Sequence, residues 1–145
     1  GSAGNAGLFG TLRGVHDQIL RLWGGAVAAP RRTPLLSDET ATAVIEPRRP
    51  LPLGSPLHDR PIGSPERRGL GVQLAPEELQ ATTGLSERAF GHTGFTGTSF
   101  WVDPKRALTI VVLTNRVYYG RDGTAPAIHA YRRLVHRRAV ERFGR

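Results

Sequence analysis

The stretch "FGHTGFTGTSFWVDP", Phe90 to Pro104, holds one imidazole, three threonines, a serine and three glycines spaced by three. Each type brings a separate capacity. A histidine exchanges protons near neutral pH, and hydroxyls both donate and accept hydrogen bonds. Glycine in a strand often marks a close approach by a ligand or another chain. Together, His92, Thr93 and Gly94 set a titratable group, a hydroxyl and bare amides on one strand edge. That combination suits acyl transfer, in which backbone N–H groups polarise a carbonyl while a neighbouring group handles protons. Phosphate binding does not fit. A Walker loop needs four residues between its glycines and then lysine and a hydroxyl residue, yet the nearest lysine is Lys105. The dinucleotide fingerprint fails because a strand, not a helix, follows. A flexible spacer would not run straight into "SFWV".

Those residues need a scaffold, and the surrounding pattern describes one. "GLGVQLA", "RAFGHTG", "TSFWVDP" and "ALTIVVLTN" read as four strands. Between the last two, "DPKR" is a turn in which proline presets a corner dihedral and aspartate bonds back to the backbone. So short a connection implies a hairpin and antiparallel pairing. Leu108–Leu113 is apolar except at Thr109, which predicts a central strand covered on both faces. Trp101 is expected in the core, on the opposite face from Phe100 and Val102. Downstream, "APAIHAYRRLVHRRAVERF" shows helical spacing. Ile128, Tyr131, Val135, Ala139 and Phe143 form one stripe, with most arginines away from it. Such a helix is expected to lie across one face of the sheet.

Upstream, Leu12, Val15, Ile19, Leu22 and Trp23 predict an amphipathic helix that stops at Gly24-Gly25. A shorter helix is expected from Ser37, with Ser37 as its cap, Asp38 and Glu39 at its positive end and Pro47 closing it. Eight of the eleven prolines lie between Pro30 and Pro65, which reads as an extended connection. The fold class is therefore α/β in the α+β sense, an antiparallel sheet with a C-terminal helix across it.

Composition narrows the chemistry. The chain has 145 residues and no cysteine, which excludes disulfides and thiolate chemistry. No apolar run is long enough for a membrane helix. His16, His58, His129 and His136 have no neighbours at ligand spacing, so neither a metal nor another cofactor is expected. Nineteen arginines face a single lysine, and the net charge is +8. Eight of those arginines, against two acids, lie from Arg116 to Arg145. A basic binding module for nucleic acid or an acidic partner is the alternative reading of that helix. An arginine-over-lysine bias more often reflects coding composition and a solvated face, so nucleic acid is not the expected partner. The absence of methionine suggests a piece of a longer protein, which leaves compartment and oligomeric state open.

"GHTGFTGTS", followed by "VDP" and "LTNR", resembles the third-motif strand and following hairpin of the serine hydrolases related to class C β-lactamases, DD-peptidases and esterases. Members carry Lys-Thr-Gly or His-Thr-Gly on the strand lining the site. "GNAGLFGT" and "LLSDET" resemble the glycine-rich turn and short helix of the family's helical subdomain. The resemblance covers Gly69–Arg116 closely and Gly4–Ile45 loosely. It implies a helical-subdomain remnant and proline-rich connection over 1–68, and the C-terminal strands and final helix over 69–145. It also implies site roles. His92 would take the place of the motif's lysine, and Thr93 would face substrate polar groups. Gly94 would keep the strand edge open, and the Phe95 amide would supply one of two oxyanion-hole donors. The substrate class implied is a small acyl compound: an ester, a β-lactam or a D-amino-acid peptide. Two family motifs are missing. No serine precedes a lysine by three, and no tyrosine precedes an asparagine by two. The resemblance therefore implies a nucleophile supplied from outside these residues, and a chain inactive alone.

Overall fold

Period-two alternation organises the sheet in the computed structural model, which describes residues 9–24, 33–46, 68–74, 84–120 and 122–144. Four antiparallel strands, β1 (Gln73–Leu74), β2 (Phe90–Thr93), β3 (Ser99–Asp103) and β4 (Leu108–Val112), lie side by side in chain order. β2 and β3 pair Phe90 with Val102, Gly91 with Trp101, His92 with Phe100 and Thr93 with Ser99. β3 continues onto β4 through Phe100–Val111 and Trp101–Ile110. This register sorts the side chains into two faces, and a helix covers each.

On one face, Leu74, Phe90 and Val102 meet Ile19 and Trp23 of helix α1 (Leu12–Trp23), with Phe100 and Val111 packed alongside. The Trp23 ring meets Phe90 edge-on at 5.4 Å and stacks on Phe100 at 6.0 Å. Aromatic pairs of this kind add about 0.5–1.5 kcal/mol beyond their buried area. Ala41, Val44 and Ile45 of helix α2 (Asp38–Ile45) close the margin of the same cluster. Both helices begin as their sequences dictate. Thr11 Oγ1 accepts from the Gly14 amide at 3.1 Å, and Ser37 Oγ accepts from the Thr40 amide at 3.2 Å. α2 stops because Glu46, before Pro47, is extended.

On the opposite face lies helix α3 (Ala125–Phe143), whose Val135, Ala139 and Val140 pack on Leu108, Ile110 and Val112. Trp101 is fully buried there. The buried line of α3 is Ile128, Arg132 and His136, whereas Tyr131 and Phe143 are exposed. The expected stripe is thus rotated by about one residue, and two polar side chains stand on the buried face. Steps of four carry the contact along Ile128, Arg132, His136 and Val140.

Two strand expectations are also revised. Among the described residues of "GLGVQLA", Gln73–Leu74 is strand. Among the described residues β4 is the last strand of the sheet rather than a central one. Its apolar character reflects helices on both faces, since α1 and α3 each contact it. Most of the proline-rich stretch and the glycine-rich start of "GNAGLFGT" lie outside the described residues. Among the described residues, no helix is long and apolar enough to cross a membrane, and no group of three or more His, Asp or Glu could hold a metal.

Candidate functional site

Three glycines shape the end of β2, and each is matched by an atom of this same chain. A Cβ at Gly91 would overlap the Phe100 carbonyl oxygen and come within 2.8 Å of the Trp101 indole. Gly91 is what lets the buried tryptophan cross the neighbouring strand. At Gly94 a Cβ would overlap the Thr98 hydroxyl, and at Gly97 it would overlap the Thr114 hydroxyl and crowd Ile128. Tight packing within the chain therefore accounts for the spacing of three. Between β2 and β3 the chain reverses through Phe95, Thr96 and Gly97. The Gly94 amide donates to the Thr98 carbonyl at 2.7 Å, and the Gly97 amide donates to the Gly94 carbonyl at 3.0 Å. Gly97 sits at φ +96°, the left-handed position that closes a three-residue hairpin loop.

Beside this turn opens a cleft of about 620 Å³. His92, Thr93 and Gly94 line it, together with Thr96, Thr98 and Ser99 of the turn and β3. Phe100, Val111, Leu113 and Val15 supply an apolar wall, and Thr114 and Asn115 a polar rim beyond β4. Three of the four residues expected to form a site are thus on one cleft. Phe95 is not part of the lining, and its exposed ring lies beneath the Arg116 guanidinium, 4.6 Å from it.

His92 is half-buried, with Nδ1 2.9 Å from the Thr93 carbonyl oxygen. A carbonyl only accepts, so Nδ1 carries the proton and Nε2 of the neutral ring is left as an acceptor. The ring is thereby held in the tautomer that takes a proton at Nε2. Thr93 Oγ1 lies 3.5 Å from the amide oxygen of Gln73, a buried residue on β1. The Ser99 hydroxyl is buried without a hydrogen-bond partner. Among the described residues no base is hydrogen-bonded to it, so they do not activate it as a nucleophile. The cleft holds a proton acceptor and hydroxyl donors but no nucleophile–base pair among the described residues.

Arg132 is the residue that sequence reasoning missed. It is only 4% exposed, and it reaches from α3 to the turn. Its Nε donates to the Gly97 carbonyl at 3.1 Å, while Nη2 donates to the carbonyls of Gly94 at 3.2 Å and Thr98 at 2.9 Å. Arg116 takes the rest. Its Nε donates to the Phe95 carbonyl at 2.6 Å, its amide donates to the Thr96 carbonyl at 2.8 Å, and its Nη1 donates to Thr124 Oγ1 at 2.7 Å. Thr114 Oγ1 adds a second donor to Thr96 at 3.2 Å. Burial, reinforced by the like charge of Arg116, lowers the pKa of Arg132 from its ordinary value. The signal for Arg132 was present in the sequence. It stands four residues after Ile128, on the helix face that a strict step of four would bury.

A family model described as Beta-lactamase matches residues 2–132 of the chain. No curated protein and no solved structure matches it.

Proposed function

The chain belongs to the Beta-lactamase family, and from that premise we propose that β2 and the turn after it form one wall of a serine-hydrolase cleft for acyl transfer. The observation that carries this reading is the convergence of His92, Thr93 and Gly94 on one cleft with an apolar back wall. In this reading the substrate is a small acyl compound: an ester, a β-lactam or a D-amino-acid peptide. Its acyl group lies along β2. Thr93 hydrogen-bonds a polar group of the substrate, and His92 Nε2 accepts a proton or hydrogen bond near the reacting carbonyl. The Phe95 amide donates to the oxyanion, a contribution worth about 100- to 1000-fold in turnover at such sites. The nucleophile comes from residues outside the 145, since no Ser-x-x-Lys is present. Residues 1–68 correspond to part of the helical portion of such an enzyme, and 69–145 to its C-terminal strands and last helix.

The test compares two samples. The 145-residue chain alone should not turn over chromogenic β-lactams or short-chain p-nitrophenyl esters. Joined to the upstream coding region bearing a Ser-x-x-Lys, it should hydrolyse at least one of them. His92→Ala should then reduce turnover by roughly 100-fold, the usual range for losing a proton-transfer group. No turnover in the joined protein, or full turnover in the double variant His92→Ala/Gly94→Trp, would overturn the proposal.

A further inference from the structure

Five consecutive carbonyls, from Gly94 to Thr98, are all engaged, and side chains of only two arginines reach four of them. We propose that Arg132 and Arg116 are the positioning residues of this cleft. Arg132 holds the carbonyls of Gly94, Gly97 and Thr98 from α3, and Arg116 holds those of Phe95 and Thr96 from beyond β4, which fixes the peptide planes of the loop. The proposal rests on the acyl-transfer reading above for its catalytic consequence, but not for its geometry.

The geometry follows from peptide planarity. No peptide among the described residues is cis. In a trans peptide the C=O and the following N–H point in opposite directions. Arg132, from the α3 side of the sheet, and the Gly97 amide, from within the turn, together fix the peptide plane after Gly94, and the cleft opens on the other side. His92 pairs with Phe100 on that other side, and Phe100 and Val111 line the cleft there. A single guanidinium on α3 thereby fixes the peptides of Gly94 and Thr98, two residues that line the cleft. Arg116 holds the next peptide plane in the same manner, through the Phe95 carbonyl.

Charge supplies an independent reason. Neither guanidinium forms an ion pair with any carboxylate among the described residues. Ion pairs elsewhere among the described residues include Lys105 with Glu87, Arg106 with Asp103 and Arg138 with Glu141. A buried cation without a carboxylate is costly to keep, and a second arginine beside it raises that cost. The three carbonyls that Arg132 satisfies offset that cost. What the arrangement also provides is fixed positive charge behind the turn, in a region of low dielectric. Such charge favours an anion forming at the turn's amide edge and needs no reorganisation when it forms.

Two measurements test the clamp. The first uses the 145-residue chain with no substrate and follows amide hydrogen exchange residue by residue. In Arg132→Gln, exchange at Gly94 and Gly97 should accelerate by at least roughly tenfold, while the β3–β4 ladder keeps its protection. Should that variant fail to fold, Arg116→Gln, which removes a less buried side chain, is read in the same way at Phe95–Gly97. Unchanged exchange in the turn would overturn the proposal, as would uniform loss of protection over the whole sheet in Arg116→Gln. The second measurement uses the protein joined to its Ser-x-x-Lys segment. Arg132→Gln should lower kcat by roughly 100-fold with KM within about threefold, and Arg132→Lys should recover at least roughly tenfold of that loss. Equal changes in kcat and KM, or no recovery with lysine, would overturn the positioning role. If the joined protein with both arginines intact has no turnover, the acyl-transfer reading falls, and the exchange data alone decide the clamp.

Discussion

Two hairpin turns lie at opposite ends of β3, and they are held by opposite charges. Between β3 and β4 the organiser is an anion. Asp103, fully buried, accepts from the Ser86 amide at 2.8 Å, the Ser86 hydroxyl at 2.6 Å and the amides of Lys105 and Arg106 at 3.1 and 3.3 Å. Arg106 completes the set at 3.4 Å. Between β2 and β3 the organisers are cations, and what they bind is carbonyl oxygen. A carboxylate turn has its N–H groups occupied by its own side chain and offers no donor outward. In the arginine-held turn the carbonyls are occupied by side chains from outside it, while the Gly94 and Gly97 amides donate within it. The first is a corner closed by its own side chain, the second a turn held by side chains 21 to 38 positions away, and the cleft lies at the second.

The contrast is best attacked first through the anion. Asp103→Ala leaves several buried or part-buried donors without an acceptor, and it should destabilise the chain by about 3 kcal/mol or more, measured by urea denaturation. Where the fold survives at low temperature, amide exchange at Gly94 and Gly97 should be unaltered. Loosening of both turns together would show that they are one unit rather than two. Next in size is Gly97→Ala, which forces a side chain into a left-handed conformation against Thr114 and Ile128. About 2 kcal/mol of stability should be lost, and crosspeaks of residues 94–98 and the start of α3 should shift while those of Pro104–Ala107 stay in place. Thr114→Val removes one of two donors to the Thr96 carbonyl. It should cost about 1 kcal/mol or less, because the Arg116 amide continues to hold that oxygen. The smallest effect belongs to Lys105→Ala beside the anionic turn. Both partners of the Lys105–Glu87 pair are 61% exposed at 3.5 Å, so the urea midpoint should not move measurably. A measurable, salt-sensitive loss would mean that this turn, too, depends on a surface cation.

Much of the fold was legible because it depends on local patterns. Thr11 and Ser37 cap their helices, Asp103-Pro104 turns the chain, and alternation in "SFWVD" sends Trp101 away from Phe100 and Val102; each operates within a few residues. The site was legible in part. His92, Thr93 and Gly94 share a cleft because they are consecutive at a strand end. Gly91 and Gly97 carried a misleading signal, since a glycine needed to admit a tryptophan ring or a crossing helix looks in sequence like one that admits a ligand. Arg132 was overlooked for a different reason, although its step of four from Ile128 marked it as a candidate. Composition treats an arginine among arginines as solvent-facing, and only the docking angle of α3 selects which of them turns inward.

What the residues determined alone are the elements, their ends and the antiparallel order of β2, β3 and β4, because periodicity, capping and short turns are properties of neighbours along the chain. What the tertiary structure decided is which charges meet which turn. The carbonyls of 94–98 find their donors 34 to 38 positions away for Gly94, Gly97 and Thr98 with Arg132, and 21 positions away for Phe95 with Arg116. A contact at that separation depends on helix rotation and sheet register together, and neither is written in any short run of residues.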